Sequence, residues 1–266
     1  MNLPIYQVDA FTSKLFGGNP AAVMPLDSWL GDQQLQAIAA ENNLSETAFF
    51  VPRGADYDLR WFTPATEVDL CGHATLASAH ILFEHLDYTG EVLRFHTRSG
   101  ALLVTRGEAG EGLTVDFPAY TLTQAQVDIG ICDALGATAS EVVQVEGASK
   151  QLLVFEFEED VAGLNPDFAA LLAATDNCVI ATAPGNDCDF VSRFFGPQLG
   201  VNEDPVTGSA HCALVPYWAG RTGGSSFQAR QISARGGKLD CRLHQGRVYI
   251  TGSAVTYMQG RVSLPD

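Results

Sequence analysis

The sequence predicts an α+β fold of two similar lobes, each a mixed or antiparallel sheet wrapped round a central helix, with an active site in the cleft between them. Three observations predict it. A segment recurs about half a chain length away, strands follow one another in meanders without strict βαβ alternation, and each half holds one alanine-rich, weakly amphipathic helix. The chain has 266 residues, 46% of them hydrophobic and 17% charged. That is enough for two cores and leaves no long polar run to support disorder.

The repeat is the firmest of the three. Leu35–His80 and Phe168–Leu214 each contain an alanine-rich helical stretch, a short strand, a turn and a second strand. That second strand is Asp58–Phe62 in one copy and Phe190–Phe195 in the other. It ends as Arg60-Trp61-Phe62-Thr63-Pro64 or as Arg193-Phe194-Phe195-Gly196-Pro197. An acidic loop, a glycine and a second alanine-rich helix follow in both, beginning Cys71-Gly72-His73-Ala74 and Thr207-Gly208-Ser209-Ala210.

Helices are expected over Asp32–Asn42, Gly72–Glu84, Pro166–Thr175 and Gly208–Arg221, about two per half. Val92–Phe95, Ala101–Arg106 and Gly112–Phe117 read as a strand meander with turns at Ser99-Gly100 and Glu108–Gly110. Glu141–Glu146, Gln151–Phe157, Gln228–Ser233, Lys238–Leu243 and Val248–Ser253 read likewise. The lobe boundary is placed near Pro118–Thr123, giving an N-terminal lobe of residues 1–118 and a C-terminal lobe of 119–266 whose last strand can cross back to the first.

The formal charge of −16 disfavours nucleic acid and anionic membranes as partners. No stretch approaches the roughly 18 apolar residues of a membrane span. The opening MNLPIYQVDAF lacks the basic and apolar regions of a signal peptide. Six cysteines without a C-x-x-C pair read as reduced thiols of a cytoplasmic protein.

Two helix starts are the first candidates for chemistry. A glycine there lets backbone N–H groups approach a ligand, and the helix dipole adds partial positive charge. Gly72-His73-Ala74 and Gly208-Ser209-Ala210 would together suit a small carboxylate. Glu46 opens the apolar strand Thr47-Ala48-Phe49-Phe50, where desolvation would raise its pKa and make it a usable acid/base. His73 could relay a proton or donate to substrate, and Asp204 could orient it. A Ser-His-Asp triad can be written from Ser209, His73 and Asp204, but no G-x-S-x-G elbow accompanies it. A metal site from Asp69, His73, Asp204 and His211 lacks the usual ligand spacing. His80, His85, His96 and His244 are isolated and read as structural or exposed. Cys71 precedes a helix start, where a thiol could be reactive; its counterpart is Thr207, so Cys71 reads as a packing residue. Gly17-Gly18-Asn19-Pro20 reads as a tight loop that could border the cleft, not a phosphate loop.

Several of these strings resemble the PhzF-like family, named for the phenazine-biosynthesis isomerase and sharing the diaminopimelate-epimerase fold. They are Tyr6–Thr12, Gly17-Gly18-Asn19-Pro20-Ala21-Ala22-Val23, Leu44–Phe49, Arg60–Pro64, Glu67–Thr75 and Glu203–Ala210, spanning nearly the whole chain. The resemblance implies two lobes, no cofactor and no metal, and commonly a homodimer. It implies that Glu46 is the catalytic acid/base, that His73, Asp204 and Ser209 line the site, and that Gly72 and Gly208 present donors to a substrate carboxylate. Two departures from true diaminopimelate epimerases matter. Their two catalytic thiols map to Cys71 and Thr207, and His73 stands where an asparagine usually follows the glycine. Two-thiol racemisation is thereby disfavoured against proton shuttling by one carboxylate. The expectation is a cofactor-independent isomerase of a small carboxylate-bearing metabolite. The alternatives are an amino-acid or hydroxy-acid racemase or epimerase, and a non-catalytic small-molecule binding protein on the same fold.

Overall fold

The computed structural model describes residues 1–107 and 112–264; the turn expected at Glu108–Gly110 lies outside them. The chain divides into two compact units, Met1–Phe117 with Ile250–Asp266, and Pro118–Tyr249. Each is described by itself.

The first unit opens with β1 (Asn2–Ala10) and β2 (Asn19–Pro25), an antiparallel pair. Helix α1 (Asp32–Asn42) ends where Asn43 takes a left-handed φ of 48° and returns its N–H to the Ala39 carbonyl. The chain then enters β3 (Glu46–Arg53), parallel to β2, and turns into the antiparallel β4 (Asp56–Phe62). A short β5 (Glu67–Val68) leads into α2 (Gly72–His85). The meander β6 (Val92–Thr97), β7 (Gly100–Arg106) and β8 (Leu113–Pro118) follows, with β6 parallel to β4. The chain's final strand, Ala254–Ser263, lies antiparallel along β1 from Asn2 to Ala10. Residues from 250 onward therefore belong with the first unit; the sequence reading counted them with the second lobe while allowing the last strand to cross back.

Period-two alternation divides the faces of this sheet. Ala22, Met24, Phe49 and Val51 pack with Leu35 and Ile38 of α1. Ala21, Val23, Ala48 and Phe50 thus turn to the opposite face, where α2 lies against β1, β2 and β3. Eleven residues of α2 are buried, on all sides of the helix. Its hydroxyls tolerate this because each donates four residues back, Thr75 to the Cys71 carbonyl at 2.6 Å and Ser78 to that of Ala74 at 2.7 Å.

The second unit repeats the pattern. Strands β9 (Leu122–Ala125), β10 (Glu141–Val145) and β11 (Lys150–Val154) pair antiparallel, and β11 runs parallel to β12 (Cys178–Pro184). Next come β13 (Phe190–Gly196), the short β14 (Val201–Asp204), the central helix (Gly208–Thr222), and β15 (Ser226–Gln231), which is parallel to β13. Then follow β16 (Gly237–His244) and β17 (Arg247–Gly252). The sense of every pairing from β1–β2 to β6–β7 recurs in order from β10–β11 to β15–β16. The last strand, labelled β18, stands to β1 as β9 stands to β10.

This unit also holds more helix than the sequence reading allowed. Besides α5 (Phe168–Ala174) and α6 (Gly208–Thr222) there are α3 (Ile129–Leu135) and the five-residue α4 (Glu158–Ala162). Asp128 caps α3 and Asp167 caps α5. Ile131, Leu135 and Leu171 from these helices join Leu153, Val179 and Ala181 in a core on one sheet face. Inside α6, Pro216 has no N–H for the Cys212 carbonyl four residues back, and the N–H of Tyr120 takes that acceptor at 3.0 Å.

Each unit is clasped by the same device. Arg60 donates to both carboxylate oxygens of Glu67 at 2.7 Å and lies 5.1 Å over the Phe62 ring. Arg193 does so to Glu203 at 2.7 and 2.9 Å, lies 4.9 Å over Phe195, and also donates to the carbonyls of Val161 and Leu164. Removing Arg193 would strand an enclosed carboxylate and two carbonyls. Arg193→Met is expected to lower the unfolding free energy by about 3–5 kcal/mol, read by urea denaturation. Arg53→Ala, which breaks the exposed Arg53–Asp58 pair, should cost about 0–1 kcal/mol.

Candidate active site

Glu46 is the first residue of β3, and its parity with Ala48 and Phe50 turns it to the α2 face. There its Oε2 lies 3.1 Å from Nε2 of His73, the second residue of α2; the two side chains are 17% and 3% exposed. The other ring nitrogen, Nδ1, meets Asn19 Nδ2 at 3.0 Å and Cys71 Sγ at 3.5 Å. In the neutral ring an Asn19 donor leaves the single ring proton on Nε2, facing the carboxylate; in the protonated ring both nitrogens carry protons and Nδ1 faces the Asn19 amide as a donor.

Asn19 owes its place to Gly18. That glycine has φ of 60°, and a Cβ there would lie 2.1 Å from the Ala10 carbonyl oxygen, so only glycine fits. The loop read from Gly17-Gly18-Asn19-Pro20 thus aims a side chain at the candidate histidine. Glu46 is set by the left-handed turn at Asn43 and by Asn42, whose Nδ2 donates to Thr47 Oγ1 at 3.1 Å.

Full burial of the His73 ring works against its protonation, but Cys71 and Glu46 together outweigh it and hold the pKa well above 6.5. Burial first and the Glu46 carboxylate second push the Cys71 thiol up to about 11, and the N–H of Ala74 is turned toward it. Glu46, Cys71 and His73 each offer a ligand atom within 4.8 Å of the others. The imidazole meets the thiol through Nδ1 and the carboxylate through Nε2, which suits passing a proton better than converging on one ion.

The candidates of the second unit form their own cluster. Thr207 precedes α6 without capping it; its hydroxyl donates to Asp204 Oδ2 at 2.5 Å. Gln231 binds this pair, accepting from Thr207 N–H at 2.8 Å and donating to the Asp204 carbonyl at 2.7 Å. Ser209 Oγ accepts from Lys150 Nζ at 2.9 Å. Gly72 and Gly208 are the buried first residues of α2 and α6, and neither helix has a side-chain N-cap. His211 Nδ1 donates to the Thr207 carbonyl at 2.9 Å, and Asp69 is exposed and reaches Arg98.

Asn19, Lys150 and Gln231 were not foreseen as site residues. Asn19 lay in a loop already singled out, whereas Lys150 and Gln231 act across 59 and 24 residues of sequence and left no local signal. Of the histidines read as structural, His80 and His85 share the Thr256 hydroxyl at 2.9 and 2.8 Å, and His96 meets Asp56 at 2.8 Å.

The two helix-start histidines differ in sign. Burial pulls His211 down to about 4, only slightly offset by its bond to Thr207. Below pH 6.5 the unfolded chain binds a proton that folded His211 refuses, so this group's stability is present above 6.5 and lost as pH falls toward 4, by about 3 kcal/mol. His73 has a raised pKa, so its contribution is present below 6.5 and lost as pH rises through its folded value. Imidazole NMR titration should show His211 changing near 4 and His73 well above 6.5. A His211 midpoint above 6.5 would contradict this assignment.

Comparison with known proteins bears on this geometry. The family described as "Phenazine biosynthesis-like protein" matches residues 8–260. An uncharacterized isomerase of Pseudomonas aeruginosa is 53% identical over 99% of this chain and 100% of its own length. The crystal structure of a phenazine biosynthesis protein of the PhzF family from Enterococcus faecalis is 46% identical, covers 99% of this chain and 100% of its own, and superposes with a TM-score of 0.92. A hydroxyproline epimerase from Agrobacterium vitis shares the fold alone, at 14% identity and a TM-score of 0.64 over 100% of this chain and 93% of its own. The duplicated α+β architecture is thus epimerase-like, and the chain belongs to the phenazine biosynthesis-like family, a family of isomerases.

Proposed function

We propose that the protein is a cofactor-independent isomerase of a small carboxylate-bearing metabolite, in which Glu46 takes a proton from one carbon and returns it to another. The observation that carries this reading is the enclosed contact between Glu46 Oε2 and His73 Nε2, 3.1 Å apart. A carboxylate can accept the carbon-bound proton and return it at another carbon, while the imidazole beside it holds and polarises that carboxylate. In a substrate with a carbon–carbon double bond next to that carbon, the electron pair left behind delocalises through it, and return of the proton to the far carbon shifts the double bond by one position. Backbone N–H groups at the Gly72 and Gly208 helix starts support the charge as it develops. Asp204 contributes a further acid/base group in this reading, and Gly72, Ala74, Gly208 and Ser209 bind substrate.

The epimerase alternative draws on Cys71, whose Sγ sits 3.5 Å from His73. Against it stand the pKa of about 11 and the threonine at the matching place in the second unit. The family resemblance supports a homodimer, the charge of −16 argues against nucleic acid, and six unpaired cysteines support a cytoplasmic setting. Among the described residues no helix is long and apolar enough to cross a membrane.

A metabolite screen by thermal shift identifies ligands, because a ligand bound to the folded state stabilises it by RT ln(1 + [L]/Kd). Hits are then turned over in D₂O. Isomerisation should place deuterium on a different carbon and move a double bond, epimerisation should place it on the inverted carbon, and a binding protein should incorporate none. Glu46→Gln is expected to lower kcat by about 10²–10⁴ with a small change in KM. Unchanged turnover in Glu46→Gln would remove the assignment.

A further inference from the structure

The loops that deliver the two central helices are braced from outside those helices, and the brace is the same in both units. In the first, the hairpin of β6 and β7 closes from Thr97 to Gly100, and its turn holds Arg98 and Ser99. Ser99 Oγ donates to the Asp69 carbonyl at 2.7 Å, two residues before Cys71. In the second, the hairpin of β15 and β16 closes from Gln231 to Gly237, and Ser233 is again the second residue of the turn. Its Oγ donates to the Pro205 carbonyl at 2.8 Å, two residues before Thr207.

The surroundings of this bond have changed between the two copies. The turn grows from two residues to five, and the accepting residue is Asp69 in one unit and Pro205 in the other. Thr97 donates its hydroxyl within its own turn, to the Gly100 carbonyl at 2.7 Å, whereas Gln231 at the matching place reaches Thr207 and Asp204. The serine-to-carbonyl bond is kept through these changes. In the first unit Arg98 adds a second hold on the same loop, with Nη2 2.6 Å from Glu67 Oε2.

The helix starts supply a reason. A helix is commonly anchored by an N-cap side chain that accepts from an N–H of its first turn. Cys71 and Thr207 make no such bond, and the Thr207 hydroxyl is given to Asp204. A cap would fix the entering chain but would take up a donor that an incoming carboxylate could use. Holding the loop by a carbonyl two residues earlier fixes the entry and takes up none of them.

We infer that Ser99 and Ser233 are positioning residues: each holds the loop entering its central helix so that the uncapped first turn presents its N–H groups to the substrate's carboxylate, and Ser99 also keeps His73 against Glu46. The inference rests on the isomerase reading for the use to which those donors are put. The other account makes each serine a fastener of its own turn, as the bond from Gly236 N–H to Ser233 Oγ at 3.1 Å suggests.

Amide hydrogen exchange, read residue by residue on the full chain labelled with ¹⁵N, separates the two. Ser99→Ala is expected to speed exchange at Gly72 and His73 about three- to tenfold, the effect of losing one hydrogen bond, and to leave Gly208 and Ser209 at wild-type rates. Ser233→Ala should do the reverse. Ser99→Thr and Ser233→Thr keep the hydroxyl and should restore the wild-type rates. The His73 imidazole midpoint should move down toward 6.5 in Ser99→Ala, as its contact with Glu46 loosens, and stay in place in Ser233→Ala.

If the serines only fasten their own turns, exchange rises at Gly100 or Gly236 while the helix starts keep their rates, and that result overturns the inference. So does an equal rise at both helix starts in either variant, the mark of a general loss of stability, or a failure of threonine to rescue. An unmoved His73 midpoint in Ser99→Ala overturns the role of Ser99 toward His73. Ser99 is exposed and Ser233 half-buried, so both alanine variants should fold; should one not, the other decides. These readouts need no turnover. Failure of the isomerase reading therefore appears in the activity of Glu46→Gln, and failure of this one in the exchange rates at the helix starts.

Discussion

A helix buried on every side has no polar face to give to water, and this constraint holds along most of α2 and over Gly208–Val215 of α6. Hydroxyls and backbone groups inside must find a partner nearby. In α2 the threonine and serine bend back onto carbonyls of the preceding turn. In α6 the carbonyl released by Pro216 is taken up by Tyr120. The first turn is the exception, since its N–H groups have no partner within the helix. Neither Cys71 nor Thr207 caps them with a side chain. Chemistry therefore gathers at the starts of α2 and α6 because the rest of each helix is already committed.

The duplication separates what holds a unit together from what gives it a task. The arginine fork to a glutamate, the aromatic ring beneath it, the glycine that opens the helix and the order of strand pairings occur twice. The groups around the helix starts do not. Glu46 stands level with Cys178, Cys71 with Thr207, His73 with Ser209, and Ala21 with Lys150. One copy gathers a carboxylate, an imidazole and a thiol, and the other an acid held by a threonine, a lysine and a serine. Twin scaffolds have been given opposite charges at one rung.

Much of this could be read from the residues in order. The four principal helices fall within a residue or two of where alanine content and glycine placement put them, and α1 matches at both ends. Glu46 was visible because a polar patch opens an apolar strand, and His73 because it sits at a helix start led by glycine; the structure brings the two together. The misses have a common cause. α3 and α4 are only seven and five residues long, too short for apolar periodicity to register, and α3 is held by its Asp128 cap and the core beneath it. The allegiance of β18 depends on pairing with a strand some 250 positions earlier. Lys150 and Gln231 act through single distant contacts. Local chemistry announces elements, while partnerships across the fold have no local signature.

The return of β18 to β1 bears on how the protein is assembled at the ribosome. Residues 118–249 hold the helices of the second unit and its strands from β9 to β16, all of which precede β18 in the chain. The first unit begins earlier but lacks the neighbour of β1 until residues 254–263 have left the exit tunnel. The half that carries Glu46 and His73 is started first and closed last, since β1 presents an open edge until β18 pairs with it.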